Sequence, residues 1–494
     1  MSFQTSSNDG KLPSMRSVTE GVLAFEADTQ PFRTLVQGVP YWERIRTQVH
    51  QRLLVEVGMH QVAHDRFRPT ARSLSSFAAS SLRSAVFRKP ESAPPAEYLF
   101  FGSPRRKLGA NGRWWDVYCD PILEDFATRS VYFELPYRGG HQKPAQTRGI
   151  RYLDWQVLKR YIAQRLPKAQ HVFTEEENKE LQKHSEHLRR HIGVSIELAD
   201  LARNAVIERG VMLPFYLRLL ERTSPRAVIL VCSYGHDTLI EACKQLSVPT
   251  IELQHGITGP YHPGYHYPNP DFQKLNFPDH ILLYGEFWKQ LATFPIPDSR
   301  VHTVGFPYLD QEVRSRRSTT KQRQIIFISQ GTIGKSLSRI AAELAALSPL
   351  SYDIIYKLHP GEFGRWRTEY PWLRESGVDV VENDRTIYEL FAESEIQVGV
   401  YSTAVYEGLA FGLRTILVDL PGIELMEGWA SNAEIPIASN AADLLTHVRT
   451  NRGAAVPFED FFLPDALHNV RETLRRITSV APVLPVCDSA SEVL

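Results

Sequence analysis

From residue 227 onward the chain alternates short, continuously apolar runs with amphipathic stretches of about ten residues. Ala227–Cys232, Thr250–Gln254, His280–Tyr284 and Val301–Val304 read as strands, with helices over Asp237–Gln245 and near Phe287–Thr293 between them. A second series begins at Gln324–Ser329 and runs through strands Asp353–Leu358, Val378–Val381, Ile396–Tyr401 and Arg414–Val418. Its predicted helices cover Ser336–Leu347, Ile387–Glu393 and Thr403–Phe411. Strands covered on both faces are apolar throughout rather than alternating, and their alternation with helices implies parallel sheets. The expected fold is α/β: two Rossmann-like, doubly wound domains facing a central cleft, with an N-terminal helical extension.

Upstream, Tyr98–Gly102 and Val131–Leu135 read as strands of the first domain, and Tyr41–Val57 and Thr174–Glu221 as helical. Thr174 followed by three glutamates is an N-cap with an acidic first turn. The boundaries expected are 1–16, disordered; 17–95, a helical and basic extension; 96–311, the first Rossmann-like domain; 312–323, a charged linker; 324–455, the second Rossmann-like domain; and 456–494, a helix at Asp465–Thr478 with an unstructured tail.

A chain of 494 residues exceeds one ordinary core, which agrees with two domains. Lys+Arg and Asp+Glu are both 56, so global charge gives no case for nucleic acid, and none is expected as a partner. The four cysteines, Cys119, Cys232, Cys243 and Cys487, form no CxxC pair, which fits a reducing compartment. No apolar run approaches the length of a membrane span, and the start of the chain shows no secretory signal. A cytoplasmic protein is expected. Local charge qualifies this. Residues 66–89 carry Arg66, Arg68, Arg72, Arg83, Arg88 and Lys89, apolar side chains that include Leu74, Phe77, Leu82, Val86 and Phe87, and no acid. The segment reads either as a solvated basic helix and loop or as an arm on an anionic surface, such as the inner face of the plasma membrane.

The candidate chemistry lies at strand ends, because ligands of open α/β sheets bind outside the carboxyl ends of the strands. Two segments stand out: Glu-Leu-Gln-His-Gly at 252–256 and Lys-Leu-His-Pro at 357–360. A neutral imidazole at His255 can take a proton from an attacking hydroxyl, and Gly256 leaves room beside it. The alternative is a buried histidine that anchors its loop. His262 and His266 are four apart, but the loop is rich in Pro and Gly and lacks cysteine, so no metal is expected. His236 ends the preceding strand and would line the same cleft with Gly256 and His262; Asp237 reads as an N-cap. In the second domain, Ser329–Gly334 fails as a P-loop because Ser329 stands where the first glycine is required. It remains a phosphate-facing turn through Gln330, Gly331 and Thr332, or an ordinary strand-to-helix turn. Lys357 and His359 end a strand, and Pro360 fixes the backbone after the histidine. Ser402 and Thr403 stand at a helix start, where hydroxyls and amides can meet phosphate. Glu407, about one turn on, can accept the hydroxyls of a ribose or be a surface carboxylate.

Gln-His-Gly, Lys-Leu-His-Pro and the later Tyr-Ser-Thr-x-x-x-Glu-Gly together resemble the GT-B glycosyltransferases of bacterial surface polysaccharides, over about residues 225–425. These include capsule polymerases, bacterial polysialyltransferases and CDP-glycerol glycerophosphotransferases. The resemblance implies a C-terminal domain that binds a nucleotide-activated donor and an N-terminal domain that receives a glycan or glycolipid acceptor. By position, His359 and Ser402/Thr403 would contact donor phosphates, Glu407 the ribose, and His255 the acceptor hydroxyl. The acidic pair of the polysialyltransferases is absent, Glu252 being the only acid nearby, and Val400-Tyr401 replaces the aspartate of the teichoic acid enzymes. No Asp-x-Asp motif is present, which points away from a metal-dependent mechanism, and no cofactor is expected beyond the nucleotide-activated donor as substrate. The leading expectation is a glycosyltransferase moving a sugar or polyol phosphate. A nucleotide-sugar epimerase or a non-catalytic binding protein of the same architecture are the alternatives.

Overall fold

The computed structural model describes residues 14–480 apart from 59–80, 83–88, 110, 127–128, 138, 167–172, 273, 348–350, 431–434 and 451–456. Most of the basic segment at 66–89 lies outside the described residues, as do residues 1–13 and the tail beyond 480.

The first large sheet contains β1 (Tyr98–Phe101), β2 (Ser130–Glu134), β3 (Arg151–Tyr152), β4 (Ala227–Val231), β5 (Thr250–Leu253), β6 (His280–Leu283) and β7 (Val301–Thr303). Its spatial order is β7-β6-β5-β4-β1-β2-β3, and every pairing is parallel. The second contains β8 (Gln324–Ile328), β9 (Asp353–Lys357), β10 (Asp379–Val381), β11 (Ile396–Gly399), β12 (Arg414–Val418) and β13 (Ile437–Ala438). It runs β10-β9-β8-β11-β12-β13, again all parallel. Both orders are doubly wound, and each reverses beside its first strand, between β1 and β4 and between β8 and β11. The crevice at that reversal is where such sheets receive ligands. Helices cover both faces, so β1, β4, β5, β8 and β11 are buried along their whole length. Two Rossmann-like domains are thus present, as expected.

The N-terminal extension is built into the first domain. Its helices Met15–Thr29 and Tyr41–Glu56 pack against the helices Glu175–Ile192 and Leu198–Thr223. Trp42 donates to Glu26 at 2.8 Å, and Arg46 meets the same carboxylate at 2.6 Å, all three side chains being buried. Arg46 also donates to the carbonyls of Pro263 and His266, and Glu43 accepts from the Leu275 amide at 2.8 Å. The extension therefore grips the middle and the far end of the loop that follows β5.

The chain crosses between domains twice. The residues expected to be a linker begin inside the helix Pro307–Ser315. After the second domain, the helix Ala466–Val480 returns to the first. Its Val470, Leu474 and Ile477 complete a core with Tyr98, Phe100 and Ile229, and the Thr478 carbonyl accepts from Arg226 at 2.8 Å. No helix among the described residues is long and apolar enough to cross a membrane.

Candidate active site

β5 delivers Glu252 and Gln254 into the core and His255 to its carboxyl end. Gln254 fixes the turn: its amide oxygen accepts from the Tyr284 amide at 2.7 Å, and its amide nitrogen donates to the Gly256 carbonyl at 2.8 Å. The His255 carbonyl accepts from the Tyr118 hydroxyl at 2.8 Å. Each nitrogen of its ring has a phenol 3.1 Å away, Tyr265 at Nδ1 and Tyr234 at Nε2. Burial, with the charge of Arg105, lowers the His255 pKa to about 4, so the ring is neutral at pH 7. His262 packs on Tyr265 with 4.6 Å between ring centroids, and burial lowers its pKa to about 3. His236 is buried edge-on to Phe101, and burial lowers it to about 4. Asp237 is the first residue of its helix rather than the cap, and it pairs with buried Lys274 at 3.3 Å.

The turn after β8 is pinned from below by a residue that sequence reasoning passed over. Glu362 is fully buried. Its Oε1 accepts from Ser329 at 2.9 Å and Tyr370 at 2.8 Å, and its Oε2 from the His359 amide at 2.7 Å. Gly334 must be glycine here, since a Cβ would lie 1.9 Å from Glu362 Oε1. The available signal was spacing: in His359-Pro-Gly-Glu362 the histidine and glutamate cap one short turn reciprocally.

Above that base, Gln330, Gly331 and Thr332 are half-buried, and the Gln330 amide oxygen is buried without a protein partner. Thr332 Oγ1 meets the Tyr401 hydroxyl at 2.6 Å, tying this turn to the one after β11. Gly422, at φ +99°, leaves room for Tyr401, whose ring a Cβ there would meet at 2.2 Å. Ser402 caps the helix Thr403–Leu409 by accepting from the Ala404 amide at 3.2 Å. His359 and Pro360 are exposed at the rim, and His359 Nδ1 accepts from the Gly361 amide at 3.1 Å. Lys357 turns away from the rim. Its ammonium donates to the carbonyls of Glu382 and Arg385, and burial lowers its pKa to about 8.

Glu407 is not a surface carboxylate. It is buried, accepts from Tyr388 at 2.7 Å, and together with burial raises the pKa of Tyr118 in the first domain. The two strand-end regions meet across the domain boundary: a Cβ on Gly256 would lie 3.8 Å from Thr403 Oγ1. Beside this junction is a cavity of about 280 Å³. His50 and Leu54 of the extension, Ile257 and His262 of the loop, and Tyr401 and Glu424 of the second domain line it.

No protein-family model matches the chain, and no curated protein matches it. Solved structures similar to it include the UDP-GlcNAc 2-epimerase from Methanocaldococcus jannaschii, at 9% identity and a TM-score of 0.44 over 77% of this chain and 99% of that one. The wall teichoic acid polymerase TagF is 11% identical, with a TM-score of 0.42 over 84% and 97% of the two chains. MurG from Acinetobacter baumannii is 12% identical, with a TM-score of 0.45 over 77% and 100%. What the cleft can do follows from its own side chains.

Proposed function

We propose that the protein is a glycosyltransferase that moves a sugar, or a polyol phosphate, from a nucleotide-activated donor to a hydroxyl of a surface-polysaccharide acceptor, glycan or glycolipid. The observation that carries this reading is the junction of Gly256 with Thr403, which sets a neutral strand-end histidine opposite a turn of hydroxyls and amides. His255 acts as general base. A neutral ring can accept a proton, and a depressed pKa keeps it neutral at the cost of basicity. Gln330, Gly331, Thr332, Ser402 and Thr403 receive the donor phosphates, with His359 and Pro360 at the rim and Lys357 bracing the loop beneath. The orphaned Gln330 oxygen supports a ligand group that donates to it, such as a ribose or sugar hydroxyl. Glu407, held by Tyr388, faces the same junction and is assigned to the ribose.

The test is thermal unfolding of the full chain with CMP-, CDP-, UDP- and GDP-linked donors, followed by turnover with the stabilising one. A donor is expected to raise the unfolding temperature, and product is expected to require an acceptor. A protein that none of the four classes stabilises has no such donor site. Conversion of the donor sugar without acceptor is the epimerase outcome.

A further inference from the structure

The directions of the hydrogen bonds around His255 can be worked out from their buried end. Glu252 is fully buried, and its Oε1 accepts from the Ser233 amide at 2.9 Å. The Tyr265 hydroxyl lies 2.5 Å from the same oxygen. With Glu252 ionised its carboxylate is acceptor-only, so this oxygen accepts from the phenol as well as from the amide and the Tyr265 proton points at Glu252. A phenol has one proton. The Tyr265 oxygen, 3.1 Å from His255 Nδ1, can therefore only accept from the ring. This puts the imidazole proton on Nδ1 and the lone pair on Nε2, where the Tyr234 hydroxyl stands as donor at 3.1 Å. Tyr265 is buried, whereas Tyr234 keeps part of its surface exposed. His255 is itself half-buried, but its Nε2 is already engaged by the Tyr234 hydroxyl, so an acceptor hydroxyl directed at that nitrogen meets Tyr234.

Building on the assignment of His255 as base, we propose that Glu252 and Tyr265 are positioning residues that lock its ring in the Nδ1–H form, and that Tyr234 is the catalytic group through which the acceptor proton reaches it. As the acceptor oxygen bonds to the electrophilic atom of the donor, its proton passes to the Tyr234 oxygen. The Tyr234 proton passes to His255 Nε2. The bond from the electrophile to the leaving nucleotide breaks, and its electron pair departs on the phosphate. Tyr234 ends neutral and His255 ends as imidazolium, facing the Glu252 carboxyl through Tyr265. The two transfers are concerted, because burial raises the Tyr234 pKa well above the usual range and a free phenolate there is costly. The arrangement differs from a bare histidine base in needing a phenol at residue 234.

Two readouts test this. The first needs no substrate: the nitrogen spectrum of the histidine-labelled full chain at pH 7, with His255→Gln to assign the signal. A neutral Nδ1–H ring is expected, giving way to a mixed or Nε2–H ring in Tyr265→Phe. An Nε2–H ring in the parent protein overturns the lock. The second is turnover of the donor found by thermal unfolding. Tyr234→Phe is expected to lower kcat about 100-fold, with donor KM little changed and the unfolding temperature kept. The parent rate is expected to fall along a curve as deuterium replaces hydrogen in the solvent, and the variant along a straight line. Tyr234→Phe turning over at the parent kcat, with His255→Ala inactive, overturns the relay and leaves the base in place. His255→Ala at the parent rate overturns the base itself.

Discussion

The two sides of the cleft are built by opposite means. On the first-domain side the functional group is a side chain inside a cage: His255 is held at both ring nitrogens and at its carbonyl by three tyrosines from three segments. On the second-domain side the strand-end histidine is exposed, and the held element is the backbone around it, pinned through one buried carboxylate, Glu362. A cage fixes protonation and tautomer, which proton transfer requires. A braced backbone fixes the directions of amides and hydroxyls, which binding an anion requires. The same strand-end position thus does different work depending on what surrounds it.

If that contrast is right, substitutions on the two sides should separate turnover from donor binding. His255→Ala is expected to lower transfer by about 10²–10⁴-fold while the donor still stabilises the protein thermally. A variant that lost donor binding instead would erase the contrast. Arg46→Ala tests the frame behind the cage, since it leaves buried Glu26 without its cation; a loss of about 3–5 kcal/mol in urea unfolding is expected. Glu362→Ala removes one acceptor from three buried or half-buried donors. A loss of about 1–3 kcal/mol is expected, together with a smaller donor-induced thermal shift. Ser402→Ala removes a helix cap and one hydroxyl assigned to the donor phosphates, and should cost about 1 kcal/mol of stability with a modest weakening of donor binding.

Acidity probes the cage from another direction. Burial lowers His236 and His255 to about 4 and His262 to about 3, from 6.5 in the unfolded chain. Below 6.5 the unfolded state binds protons that the folded state refuses, so this stability is present above 6.5 and lost as pH falls toward 4. His141 works in reverse. Glu134 and Asp154 outweigh its burial and raise its pKa, so its contribution is present at low pH and lost as pH rises through the raised value. The unfolding temperature should drop below pH 6.5 in the parent protein and drop less steeply in His262→Gln.

The sheets were legible because their strands are long apolar runs; Gln324–Ile328 and Ala227–Val231 are within one residue of expectation. Arg151–Tyr152 and Ile437–Ala438 escaped because two residues carry no period; the helix Asp154–Ala163 escaped although Trp155, Leu158 and Ile162 share a face, and the side chains it buries are the polar Asp154 and Gln156. Thr174–Glu221 proved to be two helices, divided at Gly193 in the left-handed conformation. In the site, His255 and Ser402 could be placed from strand and helix ends. Tyr118 could not, because it reaches the His255 carbonyl from 137 residues away. The burial of Glu407 was equally hidden, since it depends on Tyr388 and on the opposite domain.

The returning C-terminal helix has a consequence for how the protein is made. The first domain's core needs Val470, Leu474 and Ile477, which leave the ribosome after the whole second domain. At a synthesis rate of about 5–20 residues per second, the groove that receives them stays open for roughly 10–30 s after the rest of that domain has emerged. Through that interval the nascent first domain exposes apolar surface that only its own last helix can cover, so this is when a chaperone would have most to hold.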